Sequence, residues 1–114
     1  MRKITVIIRN TPLNTSRNSE ALRMSVGMTL QNENITVIFL EDGVWSASQE
    51  LDPRQINSPD TTEALETLQA LKVKLLAEKK AVEKHRIKLR EGIQQASLEE
   101  IASILTESDI VIPF

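Results

Sequence analysis

Apolar residues gather in three short runs: Ile4-Thr5-Val6-Ile7-Ile8, Ile35-Thr36-Val37-Ile38-Phe39-Leu40, and Ile110-Val111-Ile112 before Pro113 and Phe114. Each is nearly continuous rather than alternating, the pattern of strands covered on both faces of a parallel sheet. Between the first two lies Ser16 to Gln31, with Ala21, Leu22, Met24, Ser25, Met28 and Leu30 at helical spacing and Gly27 weakening the pattern. Strand, helix and strand in that order predict a βαβ unit with a right-handed crossover.

Beyond the second run the signals are more mixed. Glu41-Asp42-Gly43-Val44-Trp45 contains an Asp-Gly turn signal. Ser46 to Asp60 is polar, holds Pro53 and Pro59, and reads as a long loop with room for one helical turn. Loops of that length in a compact domain are usually functional, mobile or part of an interface. Asp60 and Glu63 are placed to start a helix through Leu71, and Ser97 with Glu100 forms a closer match to a capping box. The helix that Ser97 opens puts Leu98, Ile101, Ala102 and Leu105 on one face.

From Thr61 to Glu91 there is neither Gly nor Pro, and two readings stand. Ala64, Leu68, Leu71, Leu75 and Val82 fit a long coiled-coil helix, with Glu78 breaking the seam. The alternative is a short helix, a strand at Val73 to Ala77, and a second short helix at Lys80 to Arg86. Lys72 and Lys74 make that strand less apolar than the others, as suits a position nearer an edge or interface.

Composition narrows the function classes. The chain has 114 residues, the size of one domain, here taken as 1–114. Lys and Arg number 14 against 16 Asp and Glu, and aromatics make up 3%, so neither a basic face nor a stacking platform for nucleic acid is expected. There is no Cys and a single His. That removes thiol nucleophiles, persulfide carriers, disulfides and thiolate metal sites, and predicts no metal and no cofactor. No run approaches the ~20 apolar residues that span a bilayer. The five-residue run Ile4 to Ile8 is shorter than the ~7–15 residues of a signal-peptide core. A cytoplasmic protein that does not engage membranes is expected.

The ordered motifs resemble the DsrE/DsrF/TusC/TusD superfamily of sulfur-relay proteins. A first strand runs through Arg9-Asn10-Thr11-Pro12-Leu13-Asn14-Thr15-Ser16-Arg17 into a helix with Glu20-Ala21-Leu22-Arg23. A second strand runs into Asp42-Gly43-Val44. Lys74 to Glu78 followed by His85-Arg86-Ile87 resembles the third strand and its short helix. Ser108-Asp109-Ile110-Val111-Ile112-Pro113-Phe114 resembles the closing strand. The resemblance implies a three-layer α/β/α sandwich with a five-stranded, mainly parallel sheet, which makes the third segment a strand. It also implies that sulfur-carrying members hold a Cys at the end of the third strand, a position that falls at Glu78 here. Arg86 stands where the family usually has Gly. The missing Cys resembles the DsrF/TusC type, whose members are subunits built around a Cys-bearing partner. The implied state is a homo- or hetero-oligomer, trimer or hexamer, with DsrE/TusD-like subunits.

Candidate site residues follow from the sheet's carboxyl rim, where open parallel sheets bind ligands. Arg9, Asn10 and Arg17 flank a helix start that favours anions, and Asp42 and Glu78 share the rim. The competing structural reading has Asn14, Thr15 and Ser16 capping the helix and the arginines solvated or paired with Glu41 and Asp42. Glu78 is a candidate general base only if buried, and pairing with Lys79, Lys80 or an Arg is its plainer role. No catalytic residue is assigned. His85, among Glu83, Lys84, Arg86 and Lys88, reads as a surface residue. Trp45 is either an interface anchor or a lid over the core edge. Lys84 and Arg86 belong to a basic run, Lys79 to Arg90, that is opposite in sign to Glu99–Asp109. Its readings are a solvated helix face or a docking surface, including head-to-tail assembly. The leading expectation is a non-catalytic DsrE/DsrF-like oligomeric subunit. The alternative is a homo-oligomeric protein that binds a small anion or metabolite at the carboxyl rim.

Overall fold

The computed structural model describes residues 2–9, 17–31, 33–48 and 59–114, with the side chains of 17–19 and 59–62 outside that set. The three apolar runs form β1 (Lys3–Ile8), β2 (Asn34–Phe39) and β5 (Ile110–Pro113). The segment after the first run is α1 (Arg17–Leu30). The ambiguous stretch resolves as α2 (Pro59–Ala70), β3 (Lys74–Glu78) and α3 (Lys79–Lys84), so the coiled-coil reading falls. β4 (Gln94–Ala96) and α4 (Leu98–Glu107) follow. The sheet has five strands in the order β4-β3-β2-β1-β5, and every pairing is parallel. Helices on both faces make a three-layer α/β/α sandwich.

The strand alternation sorts the two faces. Ile4, Val6, Ile8, Ile35, Val37, Phe39, Leu75 and Ala77 point to one face and are all buried. They pack with Ala21 and Leu22 of α1, Ala64, Leu65 and Leu68 of α2, and Ala81 and Val82 of α3. On the other face Ile38, Leu76 and Ala96 pack on Ile101 of α4. Ser97 caps α4 through a full capping box: its hydroxyl accepts the Glu100 N–H at 3.1 Å, and the Glu100 carboxylate accepts the Ser97 N–H at 3.3 Å.

Several sequence expectations need correction. The Asp-Gly segment is not a simple turn but opens a seven-residue 3-10 helix, Glu41–Ala47. Gly43 is required there by close approach: a Cβ would clash with the Ile8 carbonyl oxygen and lie 2.6 Å from its carbon. That contact locks the helix against the end of β1. Ser46 and Ala47, expected in the loop, are part of this helix, and Ser48 bridges to Leu89. Residues 49–58 lie outside the described set. So does the side chain of Asp60 and with it the proposed cap of α2. β3 is shifted one residue from its expected bounds and ends on Glu78. It lies between β2 and β4, one strand in from the edge.

The ends of α2 and α3 share one motif. After α3 the Arg86 N–H donates to Glu83 O and the Ile87 N–H to Val82 O, with Arg86 at φ 52°. After α2 the Lys72 N–H donates to Gln69 O and the Val73 N–H to Leu68 O, with Lys72 at φ 61°. These are Schellman ends, whose left-handed residue is usually Gly. Both helices instead carry a cation there, favourable beside the helix carboxyl end but strained in its backbone.

Candidate functional site

The sheet topology picks out the end of β3. The connection leaving β3 runs through α3 on one face, and the connection leaving β4 runs through α4 on the other. Adjacent strands whose connections diverge leave a crevice beyond their carboxyl ends. Glu78 closes β3 there, in register with Ala96 of β4.

The Glu78 carboxylate accepts the backbone N–H of Glu41 at 3.0 Å, joining the end of β3 to the start of the 3-10 helix. Glu41 has φ 50°, an uncommon conformation for a residue with a Cβ, and its N–H is thereby aimed at Glu78. At the next residue, Asp42 Oδ1 lies 3.3 Å from His85 Nε2. His85 is also 5.5 Å, centroid to centroid, from the tilted ring of Trp45. Its side chain is 21% exposed, against 62% for Asp42. Lys80 and Lys84, one helical turn apart on α3, complete a cleft of about 190 Å³ with Glu41, Asp42, Glu78 and His85.

The structure thus brings Asp42, Glu78 and Lys84 together and places Trp45 beside them through His85. Arg9 is exposed at the end of β1, its backbone N–H donating to Phe114 O at 3.2 Å. Asn10 and the side chain of Arg17 lie outside the described residues. Arg86 is exposed on the Schellman turn. The expected pairing of Asp42 with an arginine is replaced by its contact with His85, and Glu78 binds a backbone N–H rather than a neighbouring lysine. Trp45 and His85 lie forty positions apart, and sequence reasoning did not join them. The signal available was their shared closeness to the carboxyl ends of β2 and β3.

Chemically, the cleft mixes both signs. Its carboxylates occupy the rim where an open α/β sheet elsewhere offers helix amino ends to an anion. Among the described residues no group of three or more His, Cys, Asp or Glu is placed to hold a metal ion. The sequence has no Cys, so no side chain of this cleft is a thiol.

A model of the DsrE/DsrF-like family matches residues 2–114. The chain belongs to the DsrE/DsrF-like family. Two archaeal proteins of similar length resemble it throughout. The uncharacterised protein MJ0989 of Methanocaldococcus jannaschii is 28% identical, with 98% of this chain and 99% of that protein covered. The uncharacterised protein MK0008 of Methanopyrus kandleri is 29% identical, covering 97% and 93%. The crystal structure of the ychN protein from E. coli superposes over the full length of both chains with a TM-score of 0.87 at 21% identity, a likeness of fold. Within this DsrE/DsrF-like fold, the Asp-Gly-Val step acquires a physical reason in the packing of Gly43 under Ile8. No helix among the described residues is long and apolar enough to cross a membrane.

Proposed function

We infer that this DsrE/DsrF-like protein is a non-catalytic subunit, of the DsrF/TusC kind, that assembles with Cys-bearing subunits of the same fold in a cytoplasmic sulfur relay. One observation carries the reading: the sequence has no Cys, and the end of β3, where the family resemblance puts the sulfur-carrying thiolate, holds Glu78 tied to the Glu41 N–H. A carboxylate already engaged by the chain's own backbone serves as a strut of the rim rather than a reactive group. Trp45, Lys84 and Arg86 are the proposed contacts with neighbouring subunits, in a trimer or hexamer. The test is native mass spectrometry of the gently purified protein, together with sulfur transfer reconstituted with and without it. Binding to a Cys-bearing homologue and a changed transfer rate are expected. Equal rates and no binding would remove the reading.

A second reading, small-anion or metabolite binding at the carboxyl rim by Arg9, Asn10, Arg17, Asp42 and Glu78, has less support. Glu41, Asp42 and Glu78 all line that cleft and oppose a negative ligand.

A further inference from the structure

A second polar concentration lies at the opposite end of the sheet. On the α4 side the register sets Thr5, Thr36 and Lys74 side by side across β1, β2 and β3. The row before it pairs Lys3 with Asn34. Strands at the centre of a parallel sheet are ordinarily apolar on both faces. The next row here, Ile7, Ile38 and Leu76, obeys that rule. The polar rows of Lys3, Asn34, Thr5, Thr36 and Lys74 therefore lie at the amino end of the sheet. α4 covers the carboxyl half of this face through Ile101 and ends at Glu107. The amino half opens as a cleft of about 380 Å³ whose lining includes Lys3, Thr5, Asn34, Thr36, Lys72 and Lys74.

Several donors of this cleft have no partner among the described residues. Among the described residues the ammonium groups of Lys3, Lys72 and Lys74 make no ion pair, and the half-buried Thr36 hydroxyl makes no hydrogen bond. Thr5, only 2% exposed, is fixed by its 2.5 Å hydrogen bond to Ser108. Cations at this end have an ordinary explanation in the carboxyl ends of α1, α2 and α4, whose terminal carbonyls carry partial negative charge. Several of those carbonyls have donors already. Met28 O accepts the Gln31 and Glu33 N–H groups, Leu68 O and Gln69 O are taken in the Schellman end, and Ile104 O accepts the Ser108 hydroxyl at 2.7 Å. Two carboxylates also line the cleft, Glu33 and Glu107. Glu33 is held by Arg2 at 3.0 Å, leaving Glu107 as the opposing charge.

The geometry points to a small-oxyanion site at the amino end of the sheet, with Lys3 and Lys74 as the charged arms and Thr36 as the neutral donor. Donor-rich surroundings with unspent ammonium groups complement an acceptor-only ligand such as inorganic phosphate. This site is independent of the subunit reading, because it shares no residue with the end of β3.

Calorimetric titration with inorganic phosphate, at ionic strength held constant with sodium chloride, tests it. Saturable binding is expected below about 10 mM, weakened about tenfold when Lys3→Gln and Lys74→Gln are combined. Thr36→Val should weaken it less, and Glu107→Gln should tighten it. Lys80→Gln with Lys84→Gln, at the other rim, should leave it unchanged. Absence of saturable binding, or equal losses from the two lysine pairs, would overturn the proposal. Lys3 and Lys74 are exposed, so their replacement leaves folding intact, which circular dichroism checks.

Discussion

The two faces of the sheet were built to different standards. Across β1, β2 and β3 the face under α1, α2 and α3 is apolar from its first row to its last: Ile4 with Ile35, Val6 with Val37 and Leu75, Ile8 with Phe39 and Ala77. The face under α4 starts with Lys3 and Asn34, passes through Thr5, Thr36 and Lys74, becomes apolar at Ile7, Ile38 and Leu76, and ends on Glu78. Three helices complete one layer, and one ten-residue helix serves the other. Stability is concentrated on the first face, while the second is left with polar groups at both ends. The amino-end cleft borders that second face, whereas the cleft at the end of β3 lies on the carboxyl rim, walled by α3 and the 3-10 helix.

The sharpest way to break this contrast is to cut each face in turn. Phe39→Ala, in the fully buried face, should cost about 3–5 kcal/mol in chemical denaturation. Thr36→Val, on the open face, should stay within about 0.5 kcal/mol of the parent, since it removes no hydrogen bond among the described residues. Comparable losses at the two positions would erase the distinction.

A smaller change sharpens it from the side of the helices. Arg86→Gly should stabilise the protein by about 0.5–1 kcal/mol, because Gly accepts the left-handed conformation that Arg86 holds at φ 52°. The same direction is expected for Lys72→Gly at φ 61°. Thermal unfolding measures both, and destabilisation by either substitution would mean that the cation at the helix end outweighs the backbone strain.

The smallest effect concerns the amino edge. The Arg2 guanidinium, hydrogen-bonded to Glu33, holds that carboxyl below the usual carboxylate range. A carboxyl whose folded value is lowered adds stability above its unfolded value, and that stability is lost as pH falls through the folded value. Thermal melts taken from neutral pH downward should therefore fall slightly less for Arg2→Gln than for the parent. Parallel curves would show the pair to be without thermodynamic weight, as many exposed pairs are.

Much of the first face was legible in the sequence, because a buried strand spells itself as an apolar run. The second face was not. Thr5, Thr36 and Lys74 become one row only when three strands are in register, and register does not show in any single run. β4 was missed for a related reason. Gln94-Gln95-Ala96 contributes backbone pairing at an edge and buries only Ala96, so it has almost no apolar signature. β3 was ambiguous because its flanking helices extend the helical spacing on both sides. Glu78 was found by counting along a family resemblance, whereas its partner, the Glu41 N–H, depends on a left-handed backbone that residue type does not announce.

The pairing of β1 has a consequence in time. Its first neighbour, β2, joins Ile4 to Ile35, but its second joins Ile4 to Ile110. The first closure spans roughly a third of the sequence separation of the second, and loop-closure entropy rises with that separation. The β1–α1–β2 unit can form early, while β1 keeps one edge open until β5 arrives. Amide exchange during refolding should protect Val37 before Ile112, and the interval between them is the period in which an exposed edge invites pairing with another chain.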